Sequence, residues 1–371
     1  MYIWQQSEWP HFHWDTKALQ PNLDTVRSRQ ARLLGRRDAV DSGAIQSLRM
    51  ESLTEDALRT SEIEGELLDR HSVRSSVARQ LGVAHAGVAG RDAHRAEALV
   101  SLLVRATGRL DDALTLEELC KWQALLFPPA DTGFQQAAVG RLRGDTPMQV
   151  VSGRMDRPRV HFEAPPRSGL EAEVQRFLDW FNDPGNELDP ILRAGVAHLW
   201  FVTLHPFEDG NGRIARAITD RALAQAEQET IRLYSLSEVI MARRQAYYEI
   251  LESSQKGSLD ITRWLRWFLA CLQEALDGAL ARIQRVLEKA RFWQMHAETV
   301  LNPRQVKVLN RLLDDGEEEF PHGINASKYR GMAKVSKATA TRDLTDLLDK
   351  GCLERLPGGG RSVRYRLPGR N

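Results

Sequence analysis

The sequence predicts a mostly α-helical protein with one short β-hairpin and a C-terminal run of small helices that ends in a basic hairpin. Three observations carry this. Apolar residues recur at mixed spacings of three and four from Leu19 to Leu81, a stretch low in Pro and Gly. Pro190 to Leu204, rich in Ala, Leu, Val and Trp, has the composition of a buried helix. Only Val150–Gly153 with Arg159–Phe162, and the segment from Gly358 to Arg366, pair β-type residues with a turn.

The whole-chain numbers set limits. A length of 371 residues suggests two or three domains, and 42% hydrophobic with 27% charged residues is ordinary for a globular chain. The net charge of +1 favours no polyanionic partner, so any basic patch must be local. Cys120, Cys271 and Cys352 lie far apart without metal-ligand spacing, which fits a reducing, cytoplasmic setting and no disulfide framework. Met1–Gln6 has no basic segment leading into an apolar run, so no secretory signal is visible. The longest apolar stretch, Ile191–Leu204, is broken by Arg193 and His198 and is too short for a bilayer; no membrane association is expected.

In chain order, residues 1 to about 20 carry Trp4, Trp9-Pro10, Phe12 and Trp14, an irregular arm held to a helical body by large side chains, with peptide binding as the alternative. Two or three helices follow to Leu81, and Gly82, Gly87 and Gly90 mark a connection over 82–91. A helical stretch from about 92 to 128 ends at Phe127-Pro128-Pro129. The hairpin comes next, with its turn between Gly153 and Pro158. Leu170–Phe181 is helical, with Val174, Phe177, Leu178 and Phe181 on one face, and Asn182–Gly185 is a turn. Beyond Ala226 come a helix over 238–251, one or two long amphipathic helices over 259–300, and a helix over 303–313. Gly316–Glu319 reads as an acidic loop and 326–333 as a short helix. Ser336 is placed to cap the helix that opens at about Lys337.

The most informative stretch is His205-Pro206-Phe207-Glu208-Asp209-Gly210-Asn211-Gly212-Arg213-Ile214-Ala215-Arg216, a tight loop between two helices. Gly210 and Gly212 allow bends that a Cβ would obstruct. Gly-Asn-Gly running into a helix start offers unpaired N–H groups and the positive end of a helix dipole, an anion site. Arg213 and Arg216, three apart, can aim at one point. Asp209 is a hard oxygen ligand suited to Mg²⁺ beside a phosphate, and His205, the one group there with an ordinary pKa near neutrality, is the natural general base. Phe207 reads as a core anchor. Together these parts suit transfer of a phosphorus-centred group to a hydroxyl.

This segment resembles the signature of Fic proteins, His-x-Phe-x-(Asp/Glu)-Gly-Asn-Gly-(Arg/Lys)-x-x-Arg, at every defined position. The resemblance implies a Fic-type helical core over 92–275 that transfers AMP from ATP to a Ser, Thr or Tyr hydroxyl of an unidentified target protein or of the chain itself; some relatives move UMP, phosphate or phosphocholine instead. It implies that His205 deprotonates the hydroxyl, Asp209 holds Mg²⁺, Gly210, Asn211 and Gly212 cradle phosphates, and Arg213 and Arg216 bind them further out. The N-terminal aromatics resemble the extension of one bacterial Fic subgroup. Thr60-Ser61-Glu62-Ile63-Glu64-Gly65 matches the inhibitory pattern (Ser/Thr)-x-x-x-Glu-(Gly/Asn) through Thr60, Glu64 and Gly65, placing inhibition within residues 1–91. Glu64 would pair with Arg216 and displace ATP from the productive pose, or orient water for AMP removal; a solvated glutamate is the alternative. The hairpin sits where Fic proteins have a flap, so Val160, His161 and Phe162 would dock an extended target segment backbone to backbone. Tyr247 and Tyr248 are candidates for the base and ribose pocket, with plain packing as the alternative.

After a connecting helix over 276–302, residues 303–371 resemble a winged helix. Lys337, Thr339, Thr341, Arg342, Arg361 and Arg364 are its candidate DNA contacts, within a local excess of basic over acidic residues. A nucleotide-sensing transcriptional regulator is therefore the alternative function, with dimerisation or partner docking as other uses of that domain; a homodimer stays open.

Overall fold

Helices dominate the computed structural model, which describes residues 1–83, 92–127, 138–154, 157–357 and 363–369, with side chains described outside 152–158 and 315–319. Among the described residues the elements run α1 (Thr16–Arg37), α2 (Ser42–Ile63), α3 (Arg70–Gln80), α4 (Ala93–Gly108) and α5 (Leu116–Leu126). Strands β1 (Gln149–Arg154) and β2 (Arg157–Glu163) follow, then α6 (Leu170–Asn182), α7 (Pro190–Leu204), α8 (Asn211–Glu227), α9 (Leu236–Ala242), α10 (Arg244–Gln255) and α11 (Thr262–Met295). The chain closes with α12 (Pro303–Glu319), α13 (Ala326–Ala333), α14 (Lys337–Asp349), β3 (Glu354–Arg355) and β4 (Tyr365–Arg366).

Two expectations about elements need correction. The helix expected over 238–251 is two helices, because Arg243 leaves helical geometry at φ −115°, ψ 28°; Ser235 caps the first of them through Glu238 N–H. The acidic loop expected at 316–319 is instead the last turn of α12: Glu is a strong helix former, and the turn extends a helix already seated by Val308, Leu309, Leu312 and Leu313. The expected turns at Gly153–Pro158 and Gly358–Gly360, and parts of the connections at 82–91 and 128–129, fall wholly or partly outside the described residues.

The chain divides into two compact units, Met1–Leu33 with Ile45–Ala279, and Leu34–Ala44 with Leu280–Asn371. The first unit is built around α7 and α8. Asp189 caps α7 by accepting from the N–H groups of Ile191 and Leu192, and Pro190 occupies its first turn. Nearly every side chain of α7 is buried, so this helix has no solvent face. Around it Phe177, Trp180, Trp200 and Phe201 form an aromatic cluster, and Trp9 and Phe12 of the N-terminal arm meet Trp200 edge-on at 6.2 and 5.8 Å. Trp4 donates its indole N–H to Glu163 O (2.8 Å) and Trp9 to Glu173 (2.9 Å), so the arm packs on the body. The β1–β2 hairpin is antiparallel, with a register shift at Val150/Val151.

In the second unit Phe292, Leu309, Leu312, Tyr329, Leu344 and Leu353 belong to a separate core. Ile324 bridges Tyr365, extending the β3–β4 pair with a third short segment. Asp343 of α14 is turned inward, where Tyr329 OH (2.9 Å), Arg304 Nε (3.2 Å) and Asn302 Nδ2 (3.3 Å) donate to it. Ser336 caps α14 through Thr339 N–H at 3.2 Å, and Arg364 donates to His322 O at 3.2 Å. Lys337, Thr341 and Arg342 face solvent. Arg361 lies outside the described residues.

Candidate functional site: the loop between α7 and α8

The loop begins under strain. His205 ends α7 in the left-handed region, φ 47°, ψ 56°, a conformation that costs a non-glycine residue about 1–2 kcal/mol. Arg143, almost fully buried, holds it there: its Nε donates to His205 O (2.9 Å), its backbone N–H to Pro206 O (3.0 Å) and its Nη2 to Pro165 O (2.5 Å). Phe207 is fully buried against Phe201, as expected of a core anchor. Its backbone is clamped by Asn211, which accepts from Phe207 N–H (2.9 Å) and donates to Phe207 O (2.7 Å). The Asn211 amide thus supports the loop, and the expected phosphate contact at this position falls to its backbone. Arg143 carried no sequence signal, since a buried arginine among carbonyls reads like any surface arginine.

Gly210 starts α8 at φ 88°, and a Cβ there would come within 2.8 Å of Leu126. Gly212 has a different constraint: a Cβ would run into the Glu64 carboxylate, so that carboxylate lies on the first turn of α8. A helix N-terminus with open N–H groups is a place for an anion, and Glu64 sits there.

The His205 imidazole is half-buried. Its Nδ1 faces Val202 O at 3.2 Å, so Nδ1 carries the proton and Nε2 is an acceptor with no hydrogen bond among the described residues. Burial, with help from the Arg143 charge and against Val202 O, Glu64 and Asp209, lowers its pKa below the ordinary imidazole value and keeps it neutral at neutral pH.

Arg216 is 2% exposed; Nε donates to Thr60 Oγ1 (2.6 Å), and Nη2 to Thr60 O (2.8 Å) and Glu64 Oε1 (2.7 Å). Burial disfavours its charge, but Glu64 outweighs this and its pKa is raised. Arg213 lies over the Phe127 ring at 5.6 Å, donates to Glu66 Oε2 (2.8 Å) and comes within 3.7 Å of Asp209. Glu66 was missed in the sequence because the inhibitory pattern ends at Gly65. α2 stops at Ile63 and Gly65 has φ 86°, so Thr60 and Glu64 meet Arg216 from the last turn and from the bend after it. Arg244 Nε (2.7 Å) and Tyr248 OH (2.9 Å) both donate to Ile63 O and hold that bend.

Tyr247 and Phe162 both turn inward, Tyr247 in line with the packing alternative. Tyr247 is enclosed, with its hydroxyl donated to His198 Nε2 (2.9 Å), while His198 Nδ1 faces Thr219 Oγ1 (2.9 Å). Burial, assisted by Arg216, lowers the His198 pKa to about 3, so this ring stays neutral. Tyr247 supports α8 from below; an aromatic at helical spacing gave no sign of which face it occupied. Phe162 is buried against Tyr2, edge-on at 5.3 Å, and His161 is held by Glu252 at 2.7 Å. The Phe162 and His161 side chains therefore anchor the hairpin, and docking of a target would fall to its backbone edge near Val160. Glu252 has its pKa lowered to about 2 by Lys256 and His161.

Asp209 is 61% exposed, and its Oδ1 accepts from Gly210 N–H at 2.6 Å. A mostly exposed carboxylate beside a helix N-terminus, with Oδ1 on Gly210 N–H and near Arg213, fits Mg²⁺ shared with a nucleotide and water, not an all-protein cage. No cluster of three or more His, Cys, Asp or Glu able to hold a metal occurs among the described residues.

Comparison with known proteins places this architecture. Residues 113–223 match the Fic/DOC family, and residues 2–83 match a domain of unknown function, DUF4172. The chain carries a Fic/DOC family domain. It is 32% identical over 132 residues to "Protein adenylyltransferase Fic" of Drosophila grimshawi, covering 34% of this chain and 26% of that protein. The corresponding protein of Nematostella vectensis is 31% identical over 137 residues, 36% of this chain and 30% of that one. The match thus spans about a quarter to a third of these relatives. In fold the chain is similar to a Fic family protein from Desulfovibrio desulfuricans G20, with a TM-score of 0.56 and 17% identity over 97% of this chain and 98% of that one. It is also similar to a Fic domain containing signaling protein from Bacteroides thetaiotaomicron VPI-5482, with a TM-score of 0.54 and 18% identity over 72% and 97%. No helix among the described residues is long and apolar enough to cross a membrane.

Proposed function

We propose that the chain is an autoinhibited protein adenylyltransferase. The observation that carries this is a neutral imidazole with an open Nε2, fixed at the mouth of a helix N-terminus that bears Arg213 and Arg216. In the productive complex Nε2 of His205 takes the proton of a Ser, Thr or Tyr hydroxyl. That oxygen bonds to the α-phosphorus of ATP, the bond from this phosphorus to the bridging oxygen of the β-phosphate breaks, and pyrophosphate leaves. The first-turn N–H groups of α8 and the two guanidinium groups hold the phosphates and stabilise charge as it shifts to the leaving group. Asp209 would hold Mg²⁺, which supplies further neutralisation of phosphate charge when bound. The edge of the hairpin near Val160 orients the target segment by backbone pairing.

The 2.7 Å pair of Glu64 with Arg216 supports the autoinhibited reading: a nucleotide whose outer phosphate needs that arginine meets a carboxylate instead. Glu64→Gly should raise self-modification with labelled ATP by about tenfold or more, the scale on which one charge-assisted contact is removed. Unchanged labelling would return Glu64 to a structural role. The central test is His205→Ala, which should cut AMP transfer by about 10²–10⁴ while ATP still binds. Wild-type turnover by that variant would remove His205 from the mechanism. Release of AMP from purified modified protein, with and without Glu64, tests the reverse reaction.

A second reading is favoured by one observation in the other unit. Because Asp343 is turned inward, the outer face of α14 presents Lys337, Thr341 and Arg342, and neither basic residue is paired with a carboxylate among the described residues. Helix, helix, exposed basic helix and hairpin resemble a winged helix, and such a face suits a DNA backbone. The two readings are compatible: a nucleotide-handling unit and a DNA-binding unit in one chain.

A further inference from the structure

Three acidic residues follow one another at every second position after Ser61, and the structure gives them three different partners. Glu62 pairs with Arg59 at 2.6 Å, within α2 itself. Glu64 pairs with Arg216 and Glu66 with Arg213. The bend that separates them is defined: the N–H groups of Glu64 and Glu66 both donate to Ser61 O at 3.1 Å, with Gly65 in the left-handed region between them.

We propose that Glu66 is a second inhibitory gate, closing Arg213 as Glu64 closes Arg216, so that the α2 bend places two carboxylates where two neighbouring phosphate groups of a nucleotide would bind. This rests on the reading of the loop as a nucleotide site. The Arg213 side chain is 5% exposed and a guanidinium so enclosed needs an anion beside it; Glu66 at 2.8 Å holds it more closely than Asp209 at 3.7 Å, and a phosphate that takes the Glu66 position must exchange with that carboxylate. The exchange is favourable because the carboxylates leave donors unused. Arg213 Nε and Arg216 Nη1 are buried without a hydrogen-bond partner, and a phosphate brings more acceptor oxygens than a carboxylate. The two gates differ in strength. Glu66 is 44% exposed against 28% for Glu64, so its hold is more open to water and salt, and it opens first. A ligand with one phosphate can displace one gate, whereas a di- or triphosphate is needed to displace both.

The test uses the full chain as wild type, Glu66→Gln, Glu64→Gly, the double variant and Glu62→Gln, with Mg²⁺ and a fluorescent ATP analogue, followed by AMP transfer from labelled ATP. Glu66→Gln should bind the analogue roughly threefold to tenfold more tightly than wild type, and the double variant should exceed Glu64→Gly by a similar factor. Glu62→Gln should match wild type, and the gain from Glu66→Gln should shrink in high salt. If Glu64→Gly tightens binding but neither Glu66 variant adds to it, the second gate is refuted and the site reading stands. If no variant binds the analogue, the site reading falls and the gate with it. Tighter binding without any AMP transfer would uphold the gate while refuting the transferase.

Discussion

His205 shows how a single residue's backbone decides its chemistry. An imidazole at the end of a regular helix would lie along its own helix; the left-handed turn, held by Arg143 and the Asn211 clamp, puts Nδ1 on Val202 O and leaves Nε2 open. Burial then sets its titration. Because the pKa is lowered, the base-competent neutral ring persists to lower pH than an exposed imidazole would allow. The acid limb of AMP transfer, measured in the Glu64→Gly background, should therefore fall below about pH 6.5, the ordinary imidazole value. A limb at or above that value would contradict the assignment. At this scale the sequence was most legible where chemistry is local: the loop residues are contiguous, and their identities alone suggested a phosphate site. It was least legible where a side chain's direction matters. Tyr247, Phe162 and the Asn211 amide all turn inward, and Arg143 and Glu66, which carried no signal, turn toward the loop.

At the scale of elements, α2 and α8 meet through a ladder whose rungs are four residues apart on each. Burial and the Asp56 charge together raise the pKa of Asp220, Thr60 accepts from Arg216, and Glu64, just past the end of α2, lies on Gly212, so one segment descends as the other rises. Ser235 OH donates to Asp56 at 2.6 Å, and Arg232 pairs with Asp220 to complete the lowest rung. On the proposed reading, the middle rung joins folding to regulation. Thr60→Val keeps the shape and removes the acceptor of Arg216 Nε, which should lower stability by about 1–3 kcal/mol and also raise AMP transfer. Chemical denaturation and labelling with ATP check the two halves separately. A loss of stability without a gain in activity would mean that α2 is a structural strut only. Sequence periodicity was enough to see helices here, but not to see that α2 ends at Ile63 and delivers Glu64 from a bend: the end depends on Arg244 and Tyr248, which lie far along the chain.

The whole molecule joins two units with separate cores. If the second is a DNA-binding unit, its electrostatics and the chemistry of the first should be separable. Replacing Lys337 and Arg342 together by Glu should abolish binding of duplex DNA and flatten its salt dependence, leaving AMP transfer within about twofold of the parent. Duplex binding that survived the double substitution would remove α14 from that role. The sequence indicated a local basic excess in this segment; the inward turn of Asp343 takes that carboxylate off the outer face of α14, whose C-terminal end still carries the exposed Asp349.

By itself the sequence determined the helical class, the residue types of the 205–216 loop and the kinship of that loop, because these depend on periodicity and on contiguous residue types. The tertiary structure alone decided which arginine each carboxylate neutralises, which nitrogen of His205 stays open, and which aromatics are core. Each of those outcomes depends on groups brought together from distant parts of the chain, and burial and charge act through space, whatever the distance along the backbone.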